Sequence, residues 1–227
     1  MNSKITIVAA TFAEIAPLQE YLNSEAVHLA ESTFQVDSTQ IDILITGIGI
    51  VHTMYSLMEY LHDHKPVLWI QAGIGGAFDR SFEISETVII ESETLYGFGA
   101  QDKDGKILTP FELSWWKPNE FPFEDELLFC KNIPLDVSLR RASGMTTLHA
   151  HGNESQIVSI SQHRHGQIES MEGFPFFFVS LMKQIPFLSL RGISNYIEPR
   201  NKANWKIEEA IARLNESLIE ILQNSRA

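Results

Sequence analysis

Hydrophobic positions along this chain alternate between short extended runs and longer stripes at helical spacing. Lys4 to Ala10 is β-branched and almost wholly apolar, the pattern of a central strand covered on both faces. Ala13, Ile15, Leu18, Tyr21 and Leu22 then recur at helical period, with Thr11 placed to cap the start and Glu14 in the first turn. Thr33 to Val36 and Ile41 to Thr46, divided by Asp37-Ser38-Thr39-Gln40, predict a hairpin. Gly47-Ile48-Gly49 leads straight into a helix over Val51 to His62, a strand, glycine turn and helix unit of the kind that accepts anions. Val67 to Gln71 predicts a buried strand that runs into Gly73, Gly75 and Gly76, where glycine serves either a tight turn or a close approach of the main chain. Glu86 to Glu91 predicts another strand, followed by a glycine-broken loop over Tyr96 to Asp102. Residues Thr109 to Lys131 hold Trp115, Trp116, Phe121 and Phe123 without a period, so no element is predicted there. Arg141 to Leu148 reads as a strand end and turn, and Trp205 to Leu222 as an amphipathic closing helix.

The stretch from Gln167 to Asn195 reads as strand, helix, strand. Gln167 to Met171 is extended, the aromatic block after Pro175 is helical with proline confined to the first turn, and Phe187 to Ile193 is extended again. Polar groups stand at the corners. Glu172 sits where the first strand gives way to the helix, and Arg191, Ser194 and Asn195 sit towards the end of the second strand, the edge at which open α/β sheets bind ligands. Spacing alone leaves blander roles open. Glu14 and Glu172 also suit helix starts as dipole-complementing acids, and Arg191 suits a surface charge.

Composition narrows the possibilities. The 227 residues are 44% hydrophobic and 20% charged, which suits one domain over 1–227 with a full sheet between helices, and neither a linker nor a repeat occurs. The formal net charge is −12 with Lys and Arg spread singly, so nucleic acid is not an expected partner. Cys130 stands alone and reads as a small buried apolar group. His149, His151, His163 and His165 have polar flanks and no carboxylate at ligand spacing, so they read as solvated and no metal is expected. The run Ile5 to Ala10 is cut short by Glu14 as a leader, and Phe176 to Met182 falls well short of the ~20 residues that cross a bilayer. The expectation is a cytoplasmic protein with no membrane partner.

The motifs Lys4 to Glu14, Gly47-Ile48-Gly49, Gly73 to Phe78, Ser143-Gly144, Ser170-Met171-Glu172 and Arg191-Gly192-Ile193-Ser194-Asn195 together resemble the nucleoside phosphorylase and nucleosidase superfamily. Within it they are most similar to the 5′-methylthioadenosine/S-adenosylhomocysteine nucleosidases and to their relatives, the futalosine hydrolase family. The ending of that family resembles Arg-Gly-Ile-Ser-Asn-Tyr followed by Arg200 and Trp205. The resemblance implies an α/β fold, a three-layer α/β/α sandwich around a central mixed twisted sheet, with a purine nucleoside as substrate, no cofactor, and a homodimer or higher homo-oligomer. It implies roles as well. Glu14 takes the place of the carboxylate base, Glu172 that of the acid holding the ribose 2′ and 3′ hydroxyls, and Met171 packs on the sugar. Arg191 stands beside the attacking water, and Asn195 stands where the nucleosidases carry an aspartate that donates to purine N7. Gly73, Ile74, Thr147, Leu148 and Ser194 complete the implied substrate contacts, with Ile74 in place of a serine and Thr147 in place of an aromatic that stacks on adenine.

Phosphorylases of the superfamily bind phosphate through arginines at places held here by Thr11-Phe12-Ala13 and Gln71-Ala72, so water is the expected nucleophile. The resemblance therefore points to hydrolysis of futalosine to hypoxanthine and dehypoxanthine futalosine in menaquinone biosynthesis. An adenine-releasing nucleosidase, a purine nucleoside phosphorylase and a non-catalytic purine-binding protein are the competing readings. Retention of both carboxylates speaks against the last, because binding alone needs no base.

Overall fold

The computed structural model describes residues 3–131, 135, 137–161 and 166–224. In chain order the elements are β1 (Ser3–Ala9), a 3₁₀ turn (Phe12–Ile15), α1 (Ala16–Glu25), β2 (Val27–Ala30), β3 (Thr33–Val36), β4 (Thr39–Ile45), α2 (Ile50–Asp63), β5 (Leu68–Ala77) and β6 (Thr87–Leu95). There follow β7 (Ala100–Gln101), β8 (Ile107–Leu108), β9 (Leu128–Phe129), β10 (Arg140–Thr146), α3 (Glu154–Ser161), β11 (Ile168–Ser170), α4 (Gly173–Lys183), β12 (Phe187–Tyr196) and α5 (Ile207–Asn224).

The principal sheet is mixed, in the order β11-β10-β6-β12-β5-β1-β4-β3-β2. β1 lies parallel between β4 and β5. Its side chains alternate across the sheet: Ile5, Ile7 and Ala9 join the core formed with Leu18 and Leu22 of α1 and Leu214 and Leu218 of α5. Val8 joins the opposite core, with Leu57 of α2 and Phe176, Phe177 and Val179 of α4. Two-sided burial explains why β1 is a continuous apolar run, and it produces the three layers.

The far end of the sheet is not open. β11 returns to pair antiparallel with β5, so that β5, β12, β6, β10 and β11 close into a ring. Register shifts between Ala142 and Ser143 and between Ile193 and Asn195 supply the bends that closure needs.

Several sequence expectations change in detail. β5 continues through Gly73, Gly75 and Gly76 instead of turning, and none of the three has a positive φ. Crowding accounts for glycine here: a Cβ on Gly75 would stand 2.8 Å from Ile168 Cγ2 and 2.9 Å from the Glu169 carbonyl oxygen. β12 runs past Ile193 to Tyr196, so Arg191 lies mid-strand and is only 2% exposed rather than on the surface. β2 was invisible to hydrophobic patterning because all four of its residues are exposed. Residues 109–131 are mostly turns around an aromatic stack in which Trp116 packs on Phe123 and Phe174. Cys130 is buried, its thiol donating to the Phe187 carbonyl.

Candidate active site

Glu14 is set by a local device. In the 3₁₀ turn Thr11 offers its backbone N–H at 2.9 Å and its hydroxyl at 3.0 Å to Glu14 Oε2. Oε1 accepts the Ile74 N–H from β5 at 3.1 Å. The carboxylate lies over Gly73, where a Cβ would come within 2.9 Å of Oε1, so the absence of a side chain there is what lets it sit against β5.

Glu172 precedes α4 and reaches across to the turn before α2. Its Oε1 accepts the Gly49 N–H at 2.8 Å, and Oε2 accepts the Met171 N–H at 3.2 Å. Gly47 and Gly49 have φ of 85° and 88°, a conformation that favours glycine, so the turn predicted to accept an anion accepts this internal carboxylate. Burial raises the Glu172 pKa above the ordinary carboxyl value, opposed by the Gly49 N–H and by Arg191.

Arg191 lies beneath this pair. Its Nη2 donates to Gln71 Oε1 at 2.8 Å and its Nη1 to the Leu190 carbonyl at 2.9 Å. Gln71 in turn donates from Nε2 to the Glu172 carbonyl at 3.1 Å. Burial lowers the Arg191 pKa, while Glu172, Glu93 and Glu14 hold its charge in place. Its guanidinium is a buried counter-charge for the acids and does not line the cavity above them.

That cavity, of about 390 Å³, is lined by Glu14, Ile74, Met171, Glu172, Ser194 and Asn195 among others. Trp205, Ile207 and Ile211 close its apolar rim. The Asn195 amide is oriented by neighbours: Oδ1 accepts the Ser194 hydroxyl at 2.8 Å and Nδ2 donates to the Tyr196 carbonyl at 2.9 Å. Gly73 lies beneath Glu14 and is not part of the lining. Nor do the side chains of Thr147 and Leu148 line the cavity. Thr147 is buried, with its hydroxyl 3.2 Å from Glu169 Oε1, and Leu148 is 63% exposed.

Sequence reading missed three buried groups. His151, expected to be solvated, is 6% exposed, lines the cavity, and makes a short hydrogen bond through Nδ1 to Glu169 Oε1. Its carboxylate partner is distant in sequence and adjacent only in the fold. His163 and His165 lie outside the described residues. Glu93 in β6 is wedged between Gly144 and Gly173; burial pushes its pKa up to about 8, against the pull of Arg191 and the Thr146 hydroxyl. Asn215 of α5 is fully buried against the Glu14 backbone. Among the described residues no three His, Cys, Asp or Glu side chains gather as a metal ion would require, and no helix is long and apolar enough to cross a membrane.

No family model matches the chain. It is 27% identical over 189 residues to the futalosine hydrolase of Streptomyces coelicolor, covering 78% of this chain and 76% of that one. Among solved structures it superposes on futalosine hydrolase of Helicobacter pylori with a TM-score of 0.76 at 14% identity, over 98% of each chain. It also superposes on S-adenosylhomocysteine nucleosidase of Streptococcus pyogenes, in complex with 5-methylthiotubericidin, with a TM-score of 0.79 at 17% identity, over 99% of this chain and 98% of that one. The chain is thus a sequence relative of the futalosine hydrolases, built on the α/β fold that those proteins share with the methylthioadenosine and S-adenosylhomocysteine nucleosidases.

Proposed function

We propose that this protein is a nucleosidase that hydrolyses the N-glycosidic bond of a purine nucleoside, with futalosine as substrate and hypoxanthine and dehypoxanthine futalosine as products. The reading is carried by one observation: two carboxylates, Glu14 and Glu172, are each held by backbone N–H groups in one cavity, above a buried guanidinium. C–N cleavage passes through an oxocarbenium-like sugar, which negative charge on either side of the ribose stabilises. Glu14 takes the proton of the attacking water, and the carboxylate of Glu172 accepts hydrogen bonds from the ribose diol while Met171 packs on the sugar. Arg191 is the buried counter-charge beneath both acids, and the C–N bonding pair leaves with the base as a 6-oxopurine anion, which Asn195 hydrogen-bonds and which then takes a proton from solvent. Gln71, at a place where phosphorylases carry an arginine, is committed to Arg191 and Glu172, which supports water over phosphate as nucleophile.

Self-association and a cytoplasmic location belong to the same proposal. An exposed apolar stripe, Val51, Tyr55 and Met58 along α2 with Ile48 in the turn before it, which also lines the cavity, supports a homodimer. The test is incubation with futalosine, inosine, adenosine and methylthioadenosine, with and without phosphate, followed by chromatography of free base. Futalosine should yield hypoxanthine at a rate independent of phosphate. Ribose 1-phosphate formed from inosine faster than ribose would replace this reading with a phosphorylase.

A further inference from the structure

The buried pair His151 and Glu169 plays no part in the sugar chemistry above, yet both residues line the same cavity. Glu169 belongs to β11 and is fully engaged. Its Oε2 accepts the His151 backbone N–H at 3.1 Å, and its Oε1 accepts the Thr147 hydroxyl at 3.2 Å and faces His151 Nδ1 in the short hydrogen bond. A carboxylate on Nδ1 fixes the ring. The proton of the neutral imidazole then sits on Nδ1, leaving the Nε2 lone pair as an acceptor. Among the described residues Nε2 has no hydrogen-bond partner of its own. The Tyr96 ring, 5.8 Å away edge-on, and the His149 ring at 4.5 Å brace the imidazole.

The sheet register relates the carboxylate that holds this imidazole to Asn195. Glu169 lies directly opposite Gly76 in β5, and Gly76 lies opposite Asn195 in β12. Residues paired in this way project to the same face, so Glu169 and Asn195 stand in one row on either side of a residue that has no side chain. With neighbouring strands ~4.8 Å apart the row spans about 10 Å between backbones, and His151, Glu169 and Asn195 line one cavity of about 390 Å³. Glycine is needed in the middle, since a Cβ on Gly76 would stand 2.3 Å from Ile197 Cδ1 and 3.1 Å from Asn195 Nδ2.

We propose that His151, positioned by Glu169, is a specificity-determining residue that reads the N1–C6 edge of a 6-oxopurine while Asn195 takes the N7 side. A 6-oxopurine presents N1–H, a donor, to the Nε2 lone pair. Adenine presents a bare N1, so two lone pairs oppose each other and the 6-aminopurine is disfavoured. This rests on the purine nucleosidase reading and deepens it by naming a side chain that selects the base.

The test compares wild type, His151→Leu and Glu169→Gln on futalosine and its 6-amino counterpart at one pH. In His151→Leu, kcat/KM for futalosine should fall by roughly 10- to 100-fold, the effect of one lost buried hydrogen bond, with a smaller change for the amino substrate. Glu169→Gln keeps the shape but can donate to Nδ1, which moves the ring proton to Nε2 and should bring the ratio still closer to the amino substrate. A ratio that stays within about twofold of wild type in both variants overturns the inference while leaving nucleosidase activity standing. Calorimetric titration of wild type and His151→Leu with free hypoxanthine and adenine reads base selection without turnover. If the wild type cleaves no nucleoside yet prefers hypoxanthine through His151, the nucleosidase reading falls and this one stands; if neither base is bound or released, both fall.

Discussion

The side-chain amide of Asn215, in the closing helix α5, donates a 2.8 Å hydrogen bond to the backbone carbonyl of Glu14, near the other end of the chain. The same side chain accepts the Leu18 N–H at 3.1 Å, so both sides of the junction between the 3₁₀ turn and α1 hang on one amide. Asn215→Leu, which keeps the volume and removes the polar atoms, strands two buried backbone groups. It should lower unfolding free energy by roughly 2 kcal/mol and lower kcat, because the base loses its fixed position. Urea unfolding and steady-state kinetics on the same preparation would check both, and unchanged values in each would show that the anchor is dispensable.

Gly73→Ala tests the placement of Glu14 from the opposite side. The new methyl group would stand 2.9 Å from Oε1, and the carboxylate end, being flexible, should give way. A displacement of about 1 Å at a catalytic base costs on the order of 10²-fold in rate, with little loss of stability expected. Kinetics that match wild type would mean that Glu14 is not held where the chemistry needs it.

Glu14→Gln should leave product binding nearly intact and reduce turnover by ~10²–10⁴-fold, the range for losing a general base. Glu172→Gln should damage both binding and turnover, since its charge serves the ribose diol and the cationic sugar together. Because burial raises the Glu172 pKa and the ionised form is the working one, the acid limb of kcat/KM should fall at a pH above the ordinary carboxyl value, with activity rising as pH rises through it. A pH profile of the wild type locates that limb.

Glu93 supplies a stability test with a definite sign. Its pKa is raised by burial to about 8 from an ordinary 4.5. Between those values the folded protein keeps a proton that the unfolded chain releases, so stability should decrease as pH rises from about 4.5 to 8 and level off beyond. Its part of the slope is at most ~1.4 kcal/mol per pH unit. Glu93→Gln should flatten that decline in urea titrations at pH 5, 6.5 and 8; an unchanged slope would assign it to other groups.

Asn195→Asp should shift the kcat/KM ratio towards the 6-amino substrate, by up to ~10²-fold. In the wild type Ser194 and the Tyr196 carbonyl each occupy one edge of the amide, leaving one N–H to donate to N7 of the base. An aspartic acid in the same cradle can deliver a proton to a departing adenine, which the amide cannot. Both proteins assayed on both substrates at one pH decide the matter.

What could be read from the sequence was whatever depends on neighbours along the chain. β1, the helix over Gly173 to Lys183 and the closing helix all follow from periodicity, and Glu14 and Glu172 stood out because they sit at element ends. The family resemblance added likeness to nucleosidases. His151 was misread for the complementary reason: its flanks are polar and its partner Glu169 meets it only when β10 and β11 pair. For Arg191 spacing left a surface charge open beside a place in the site, because a charged residue late in an apolar run often ends it, whereas here it is buried with Gln71 as hydrogen-bond partner and Glu172 and Glu14 as counter-charges. Glu93 lies beyond the strand predicted over Glu86 to Glu91, and it packs against two glycines far away in sequence, Gly144 and Gly173.

The strand ring also sets an order of events during synthesis. β5 pairs with β1, which precedes it, and then with β11 and β12, which emerge only after some ninety residues more. Such long-range pairing is slow, because loop entropy is lost before the contacts form. Until β12 leaves the ribosome, β5 and β6 hold exposed edges rich in Ile, Val and Trp, templates for pairing with another chain. A nascent chain halted before Phe187 should therefore aggregate rather than wait in a native-like state, and the cavity opens for business only when the last strand has gone in.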